Sequence, residues 1–136
     1  MQQYFFIRTN GKYLKINFQE ILYIEGCRNY LKIATETKTH LVLLTMKRLE
    51  QLLPVSSFRR IHKSFIVSLD KIIEFDADTV YLKNKQLPIG QLYKGELEKA
   101  VLIVNDTVND ALLTNAYYTV PMVINGGQRN KFFEAG

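Results

Sequence analysis

The sequence has no tryptophan and a single cysteine, Cys27, so no internal disulfide bond can form. The two histidines, His40 and His62, do not combine with Cys27 into the spacing of a zinc site. No stretch approaches the roughly 18 apolar residues of a membrane span, and the N-terminus lacks the basic and then apolar segments of a signal peptide. We therefore expect a cytoplasmic protein with no disulfide, metal, cofactor or membrane partner.

The sequence also lacks the residue patterns of the common hydrolytic sites. It contains no paired carboxylates at catalytic spacing, no nucleophile elbow and no metal-ligand cluster. Ser64 has no carboxylate near it in the sequence that could orient a base, so its hydroxyl is not expected to act as a nucleophile. We expect a protein that is not an enzyme.

What the chain does have is an apolar interior and one strongly basic segment. With 136 residues, 47% of them apolar, it can bury the core of one domain. The formal net charge is +5, yet residues 26–63 alone contain eight lysines and arginines and two carboxylates, a net +6. Because the other segments nearly cancel, this clustering favours a surface for a polyanion.

Short alternating segments predict a mainly β fold. The alternation of apolar and polar residues, with a strong hairpin signal at Asn10 and Gly11, predicts short strands at 4–9, 12–16, 18–25, 30–35, 40–44, 59–68, 72–75, 79–83 and 86–89. A period of three to four predicts a helix over 46–53, capped by Thr45, and a weaker helical stripe follows Gln91. The fold predicted for residues 1–104 is thus strands in small sheets with one or two short helices.

Residues 105–136 differ in composition and are predicted to form a separate C-terminal extension. Their β-prone apolar run, 117–124, is interrupted by Pro121 and followed by the flexible sequence 125–127. Exposed to water, this run would favour aggregation. We expect it either to add an edge strand to the domain or to dock on a partner.

The stretch 58–68, Phe-Arg-Arg-Ile-His-Lys-Ser-Phe-Ile-Val-Ser, mixes strand-core residues with concentrated charge. Two adjacent arginines and a His-Lys pair stand among apolar residues that are expected to anchor the strand, which are Phe58, Ile61, Phe65 and Val67. A strand that only filled a core would not concentrate charges that repel one another. We therefore expect this stretch to meet an anionic partner.

Together with three other segments, this stretch resembles the LytTR-type DNA-binding domain, the output domain of response regulators of the LytR/AlgR/AgrA family. The matching segments are 20–26 (Glu-Ile-Leu-Tyr-Ile-Glu-Gly), 29–33 (Asn-Tyr-Leu-Lys-Ile), 58–67 and 87–90 (Leu-Pro-Ile-Gly), with the predicted helix between the second and third. The resemblance covers about residues 4–103. It implies about ten mostly antiparallel strands, and DNA binding by loops between strands instead of by a recognition helix.

The resemblance implies which side chains would read bases in successive major grooves. Arg28 and Asn29 would enter one groove, and His62 and Lys63 belong to the central motif. In the third loop this chain has Gly90 and Gln91 where the family usually has a serine followed by basic residues, so only Gln91 remains to contact a base there. Asparagine can pair with adenine, and lysine or arginine with guanine.

Other residues are expected to contact phosphates, which position a protein on DNA without reading its sequence. These residues are Lys32, Arg48, Arg59, Arg60 and Ser64. If about five cations neutralise phosphates, the logarithm of the binding constant should fall against the logarithm of salt concentration with a slope of about −4 to −5.

We therefore predict a bacterial transcription regulator of the two-component, phosphorelay type that binds double-stranded DNA. The resemblance implies paired direct repeats as the target and two copies acting together on DNA. There is no room for a receiver domain before Tyr4, so the chain is either the excised output domain of a longer regulator or a stand-alone one. Two alternatives stay open, a β-rich module for single-stranded nucleic acid and a protein-interaction module.

Overall fold

The computed structural model describes residues 3–104, and the predicted C-terminal extension lies outside the described residues. Within these residues the chain forms ten strands and two short α-helices, which confirms the mainly β fold. The strands are β1 (Tyr4–Thr9), β2 (Lys12–Asn17), β3 (Ile21–Cys27), β4 (Tyr30–Thr35), β5 (Thr39–Leu43), β6 (Phe58–His62), β7 (Phe65–Ser68), β8 (Glu74–Phe75), β9 (Thr79–Leu82) and β10 (Lys85–Pro88). The helices are α1 (Met46–Leu52) and α2 (Glu96–Ala100).

The strands form three antiparallel sheets. The largest has the order β5-β4-β3-β7-β6, so β3 pairs both with β4, its neighbour in the sequence, and with β7, which comes about forty residues later. The hairpin of β1 and β2 forms a second sheet, and β10-β9-β8 form the third. Pro88 is tolerated in β10 because this strand lies at a sheet edge, where a missing N–H is not needed by a neighbour.

Two apolar clusters cover the two faces of the five-stranded sheet. Ile66 and Val67 are adjacent in β7, so their side chains point to opposite faces, and each belongs to a different cluster. Ile66 packs in the cluster that also contains residues of β1, β2 and α1, such as Leu49. Val67 packs with Ile61, β9, β10 and Leu97 of α2. The anchoring residues predicted for stretch 58–68 lie in these clusters, since Phe58, Ile61 and Val67 are buried and Phe65 is half-buried.

The predicted Asn-Gly hairpin turn is confirmed. Asn10 and Gly11 join β1 to β2 with positive φ angles of 51° and 73°, which match the turn that suits two right-handedly twisted strands. Arg28 also has a positive φ, 58°, in the turn between β3 and β4. Such a conformation is uncommon for a residue with a Cβ atom.

The strand predicted for 18–25 is wrong in its first part. Phe18–Glu20 form a 3-10 turn, and β3 begins only at Ile21. The carboxylate of Glu20 accepts a hydrogen bond from the N–H of Asn17 at 3.0 Å. This local bond closes the turn and competes with the extended conformation that the apolar residues favour.

The single strand predicted for 59–68 is also wrong, because the chain reverses at Lys63 and Ser64. β6 and β7 form a hairpin in which Phe58 lies opposite Ser68, with an irregular register between Arg60 and His62. The Nδ1 atom of His62 accepts a hydrogen bond from the N–H of Ser64 at 3.0 Å. A side chain that bonds the backbone two residues later stabilises a tight turn.

Two further segments are shorter than predicted. Of the strand expected at 72–75, only Glu74 and Phe75 pair with β9, after a 3-10 turn at Leu69–Lys71. The helical stripe after Gln91 is divided into a 3-10 turn, Gln91–Tyr93, and the short α2. Gly95 separates them with a φ of +91°. Across residues 3–104, no helix has the length and apolar character needed to cross a membrane.

Candidate nucleic-acid interface

The turn between β3 and β4 exposes the side chains of Arg28 and Asn29. Cys27 lies opposite Tyr30 at the end of the ladder, so these two residues are the whole connection. Both are exposed, and within residues 3–104 neither side chain makes a hydrogen bond or an ion pair. We call this the first turn. Its side chains can approach a ligand without first breaking a contact inside the described part of the chain.

The turn between β6 and β7 is built differently, with a histidine at its base. We call His62 to Ser64 the second turn. The ring of His62 is half-buried, lies 5.5 Å from the ring of Phe65 and bonds the N–H of Ser64 through Nδ1. Because Nδ1 is an acceptor in this bond, the proton of the neutral ring is on Nε2, which remains able to donate to a ligand. Lys63, at the tip, is exposed.

Two backbone hydrogen bonds bring both turns and the third predicted loop, which contains Gly90 and Gln91, to the same end of the five-stranded sheet. The N–H of Gly26, next to the first turn, donates to the carbonyl of Ser64 at 2.8 Å. The N–H of Gly90 donates to the carbonyl of Ile61, also at 2.8 Å, and is followed directly by the exposed Gln91. The structure therefore brings together all five residues that were predicted to contact bases, namely Arg28, Asn29, His62, Lys63 and Gln91.

Glycine suits position 90 because the third loop passes very close to the second turn. A Cβ atom at position 90 would lie 3.2 Å from Cδ2 of Tyr93 and 3.3 Å from Cδ2 of His62. These distances are shorter than ordinary van der Waals contacts between carbon atoms. A residue with a Cβ atom at this position would require the rings to give way by a few tenths of an ångström.

Two of the predicted phosphate-contacting cations lie close to the first turn. Lys32 is exposed on β4, opposite Glu25 of β3. Arg48 is exposed in the first turn of α1, where its backbone N–H donates to the hydroxyl of the capping residue Thr45 at 3.1 Å. Helix α1 begins near the first turn, because Tyr30 pairs with Leu43 two residues before Thr45.

The two adjacent arginines of β6 have different surroundings. Arg59 donates from Nε to the carbonyl of Val55 at 2.9 Å, and its two terminal nitrogens have no hydrogen bond inside residues 3–104. Arg60 instead makes three hydrogen bonds. Its Nε donates to the carbonyl of His62, its Nη1 to the carboxylate of Glu50 and its Nη2 to the carbonyl of Lys63. These bonds use three of the five N–H groups, so a phosphate contact by Arg60, as expected from the sequence, could use only the remaining N–H of Nη1 and of Nη2. Ser64, also expected to contact phosphate, is half-buried, and its backbone joins the two turns.

Sequence patterns did not identify two further residues of this region, Glu50 and Tyr93. Glu50 forms an ion pair with Arg60 at 3.1 Å, and the ring of Tyr93 lies 6.0 Å from the Arg60 guanidinium carbon. No local pattern identifies either of them, since Glu50 is an ordinary exposed helix residue and Tyr93 stands in an irregular loop. Glu50 is ten residues from Arg60 along the sequence and Tyr93 is more than thirty, so only the tertiary structure reveals these contacts.

Groups that could support other chemistry are scarce in the described residues. Residues 3–104 contain no group of three His, Cys, Asp or Glu side chains arranged to hold a metal ion. Cys27 is a half-buried free thiol beside the first turn. The features concentrated at this end of the sheet are exposed cations and amides, which are the groups that recognise phosphates and base edges.

Comparison with known proteins agrees with this geometry. Two curated proteins, both called sensory transduction protein LytT, from Bacillus anthracis and Bacillus cereus, are each 27% identical to this chain over 94 residues. These matches cover 65% of this chain and 38% of the length of each relative. A solved LytTr DNA-binding domain of a response regulator from Bacillus cereus has a similar fold, with a TM-score of 0.64 and 23% identity, over 74% of this chain and 97% of that one.

The family model of the LytTr DNA-binding domain matches residues 11–101, a range that contains both turns and the third loop. The match includes nine of the ten strands in full or in part, and all the residues predicted to contact DNA. The chain belongs to the LytTR family of DNA-binding domains.

Proposed function

We propose that this chain binds double-stranded DNA in a sequence-specific manner, as the output domain of a bacterial transcription regulator of the response-regulator type. The observation that carries this proposal is the convergence of the two turns and the third loop at one end of the sheet through two 2.8 Å hydrogen bonds. Family membership supports DNA as the ligand. A cytoplasmic location and the action of two copies on paired direct repeats are part of the same proposal.

In this proposal the two turns enter successive major grooves. Asn29 and Arg28 read bases from the first turn, whereas Lys63 and Nε2 of His62 read bases from the second turn. Gln91 adds an amide from the third loop. Phosphates are contacted by Lys32, Arg48 and Arg59 and by the hydroxyl of Ser64, because none of these three cations forms an ion pair within the described residues.

The experiment begins by selecting bound duplexes from a random pool and measuring affinity for the selected duplex and for a scrambled one. Asn29→Ala and Lys63→Ala should each lose about 1–3 kcal/mol of discrimination between the two duplexes. Arg59→Ala should instead weaken both duplexes alike and reduce the salt slope by about 0.9. Three cationic phosphate contacts predict a slope of about −3 for the unaltered chain, shallower than the −4 to −5 that the sequence suggested.

Lys99→Ala in α2 is the matched control, because it removes an exposed cation from an element outside the two turns and the third loop. It should leave both affinities unchanged. Equal losses for Asn29→Ala, Lys63→Ala and Arg59→Ala on both duplexes would contradict the division into reading and positioning residues. Tighter binding to single-stranded than to duplex DNA would contradict the proposal as a whole and favour a stacking module.

A further inference from the structure

Arg60 is the most extensively bonded side chain near the two turns. Its Nε donates to the carbonyl of His62 at 3.3 Å, and its Nη2 donates to the carbonyl of Lys63 at 2.6 Å. Nη1 donates to Oε1 of Glu50 in α1 at 3.1 Å. The side chain is only 18% exposed. One guanidinium therefore holds two successive carbonyls of the second turn and fastens them to helix α1.

The same guanidinium also reaches the third loop. Its central carbon lies 6.0 Å from the centre of the Tyr93 ring, within the range of a cation–π contact. Tyr93 in turn belongs to the 3-10 turn that begins at Gln91. Arg60 thus contacts the second turn, the third loop and α1 at once, and it is the planar fork of arginine that allows one residue to do so.

The groove beside Arg60 contains carboxylates that oppose a phosphate at Arg60 itself. It has a volume of about 440 Å³, and its lining includes Arg59 and the carboxylates of Glu50 and Glu96. A phosphate that approached Arg60 here would be repelled by both of these negative groups and would compete with Glu50 for Arg60.

We infer that Arg60 is a positioning residue for DNA reading, one that fixes the second turn in the conformation that presents Lys63 and His62, and that it is not a phosphate contact. This inference rests on the proposed function and assigns Arg60 a task within it. Without the hydrogen bonds from Arg60, the second turn samples other conformations. If only about a tenth of the molecules kept the reading conformation, the apparent dissociation constant would rise about tenfold.

The test compares Arg60→Lys and Arg60→Gln with Arg59→Lys and Arg59→Gln as matched controls on the same strand. Affinities for the selected and the scrambled duplex are measured over a series of salt concentrations. Lysine keeps the charge but not the fork, so a positioning role predicts that Arg60→Lys loses specific affinity about as much as Arg60→Gln does. The salt slope stays unchanged in both Arg60 variants. In contrast, Arg59→Gln, which removes a phosphate contact, should weaken both duplexes alike and reduce the slope by about 0.9, whereas Arg59→Lys should keep the slope.

A second readout needs no DNA. Hydrogen exchange of the Ser64 N–H, which donates to His62, should be faster in the free Arg60 variants than in the unaltered chain, at a temperature where melting curves show all of them folded. If Arg60→Gln does not fold, Arg60→Lys alone decides the question. Near-normal specific affinity of Arg60→Lys, a slope reduced by about 0.9 in Arg60→Gln or unchanged exchange of Ser64 would overturn the inference.

These two readouts separate the inference from the function on which it rests. If the unaltered chain bound no duplex, the proposed function would fail, and the exchange measurement would still show whether Arg60 holds the second turn. If the unaltered chain discriminates between the duplexes and Arg60→Lys does so equally well, the proposed function stands and the positioning role of Arg60 is wrong.

Discussion

The first and second turns lie on neighbouring hairpins of one sheet and are stabilised by different means. The first turn is held by its backbone, with Arg28 in a left-handed conformation and Gly26 bonded to Ser64. The second turn is held by the side chains of His62 and Arg60. The difference shows that a backbone-held turn leaves all its side chains to a ligand, whereas a side-chain-held turn uses some of its polar groups for its own conformation.

The largest expected effects come from the cores beneath the two turns. Leu31, close to the first turn, and Ile61, next to the second, are almost fully buried in different clusters. Leu31→Ala and Ile61→Ala should each lower the free energy of unfolding by about 2–5 kcal/mol. Urea denaturation followed by circular dichroism and tyrosine fluorescence measures this. Because the five-stranded sheet contributes to both clusters, a single transition is expected, and two transitions would mean that the turns stand on independently folding halves.

Next in size are the two close-approach glycines, which test how firmly each turn is held. In Gly26→Ala the new Cβ would lie 3.0 Å from Cγ of Met46, and in Gly90→Ala it would lie 3.4 Å from the backbone Cα of His62. Each should cost about 1–3 kcal/mol in urea denaturation. The flexible Met46 side chain can move aside, so Gly26→Ala should keep its DNA discrimination. Gly90→Ala should lose part of it, because His62 and the second turn must shift.

Equal DNA discrimination in Gly26→Ala and Gly90→Ala would contradict the difference between the two turns, since it would show that the second turn tolerates displacement as well as the first. Gly11→Ala is a useful reference for backbone strain. It has a positive φ of 73° but open space around the new Cβ atom. Its loss of stability therefore measures conformational strain without crowding, and its DNA discrimination should be unchanged.

A smaller effect is expected for the side-chain support nearest the first turn. The hydroxyl of Thr45 caps α1 by accepting from Arg48. Thr45→Ala should lower the free energy of unfolding by about 1 kcal/mol, whereas Thr45→Ser, which keeps the hydroxyl, should cost less. Equal losses in the two variants, measured by thermal denaturation, would show that the cap does not depend on the hydroxyl.

The smallest effect concerns the turn from Asp76 to Asp78, between β8 and β9. As in the second turn, a side chain accepts a backbone hydrogen bond there, but the acceptor is a carboxylate. The N–H of Asp78 donates to Asp76 and lowers the pKa of that carboxyl below 3.8, with further contributions from the Thr79 N–H and the Tyr81 hydroxyl. A lowered native pKa stabilises the fold above the unfolded pKa, and this stabilisation is lost as pH falls through the native pKa. Asp76→Asn should therefore melt slightly lower than the unaltered chain at pH 7, with a difference that shrinks in acid. A difference that persisted at the lowest pH would contradict this origin.

The strands and much of the core could be predicted because alternation in the sequence reflects burial directly. Phe58, Ile61 and Val67 were expected in the core and are buried there. The reversal within 58–68 could not be predicted in the same way. No glycine or proline marks it, because the turn depends on a histidine nitrogen that accepts a backbone hydrogen.

The roles of individual cations were less predictable than the fold. Arg59 and Arg60 are the same residue type at adjacent positions, and only the three-dimensional arrangement distinguishes them. Glu50 and Tyr93 become relevant through contacts that join distant parts of the chain. The family resemblance named three loops, which lie at one end of the sheet, but the bond between Gly26 and Ser64 that joins two of them depends on the pairing of β3 with β7, which local patterns do not reveal.

The bond between Gly90 and Ile61 also affects how the molecule behaves in a crowded solution. β6 is the last strand of its sheet, and an open strand edge offers unpaired backbone groups to any other extended chain. The N–H of Gly90 donates to the Ile61 carbonyl on this strand, and the loop that follows Gly90 runs beside β6. The loop proposed to carry Gln91 to DNA therefore also shields this edge, so that loosening it to alter binding would increase the tendency to form intermolecular β-structure.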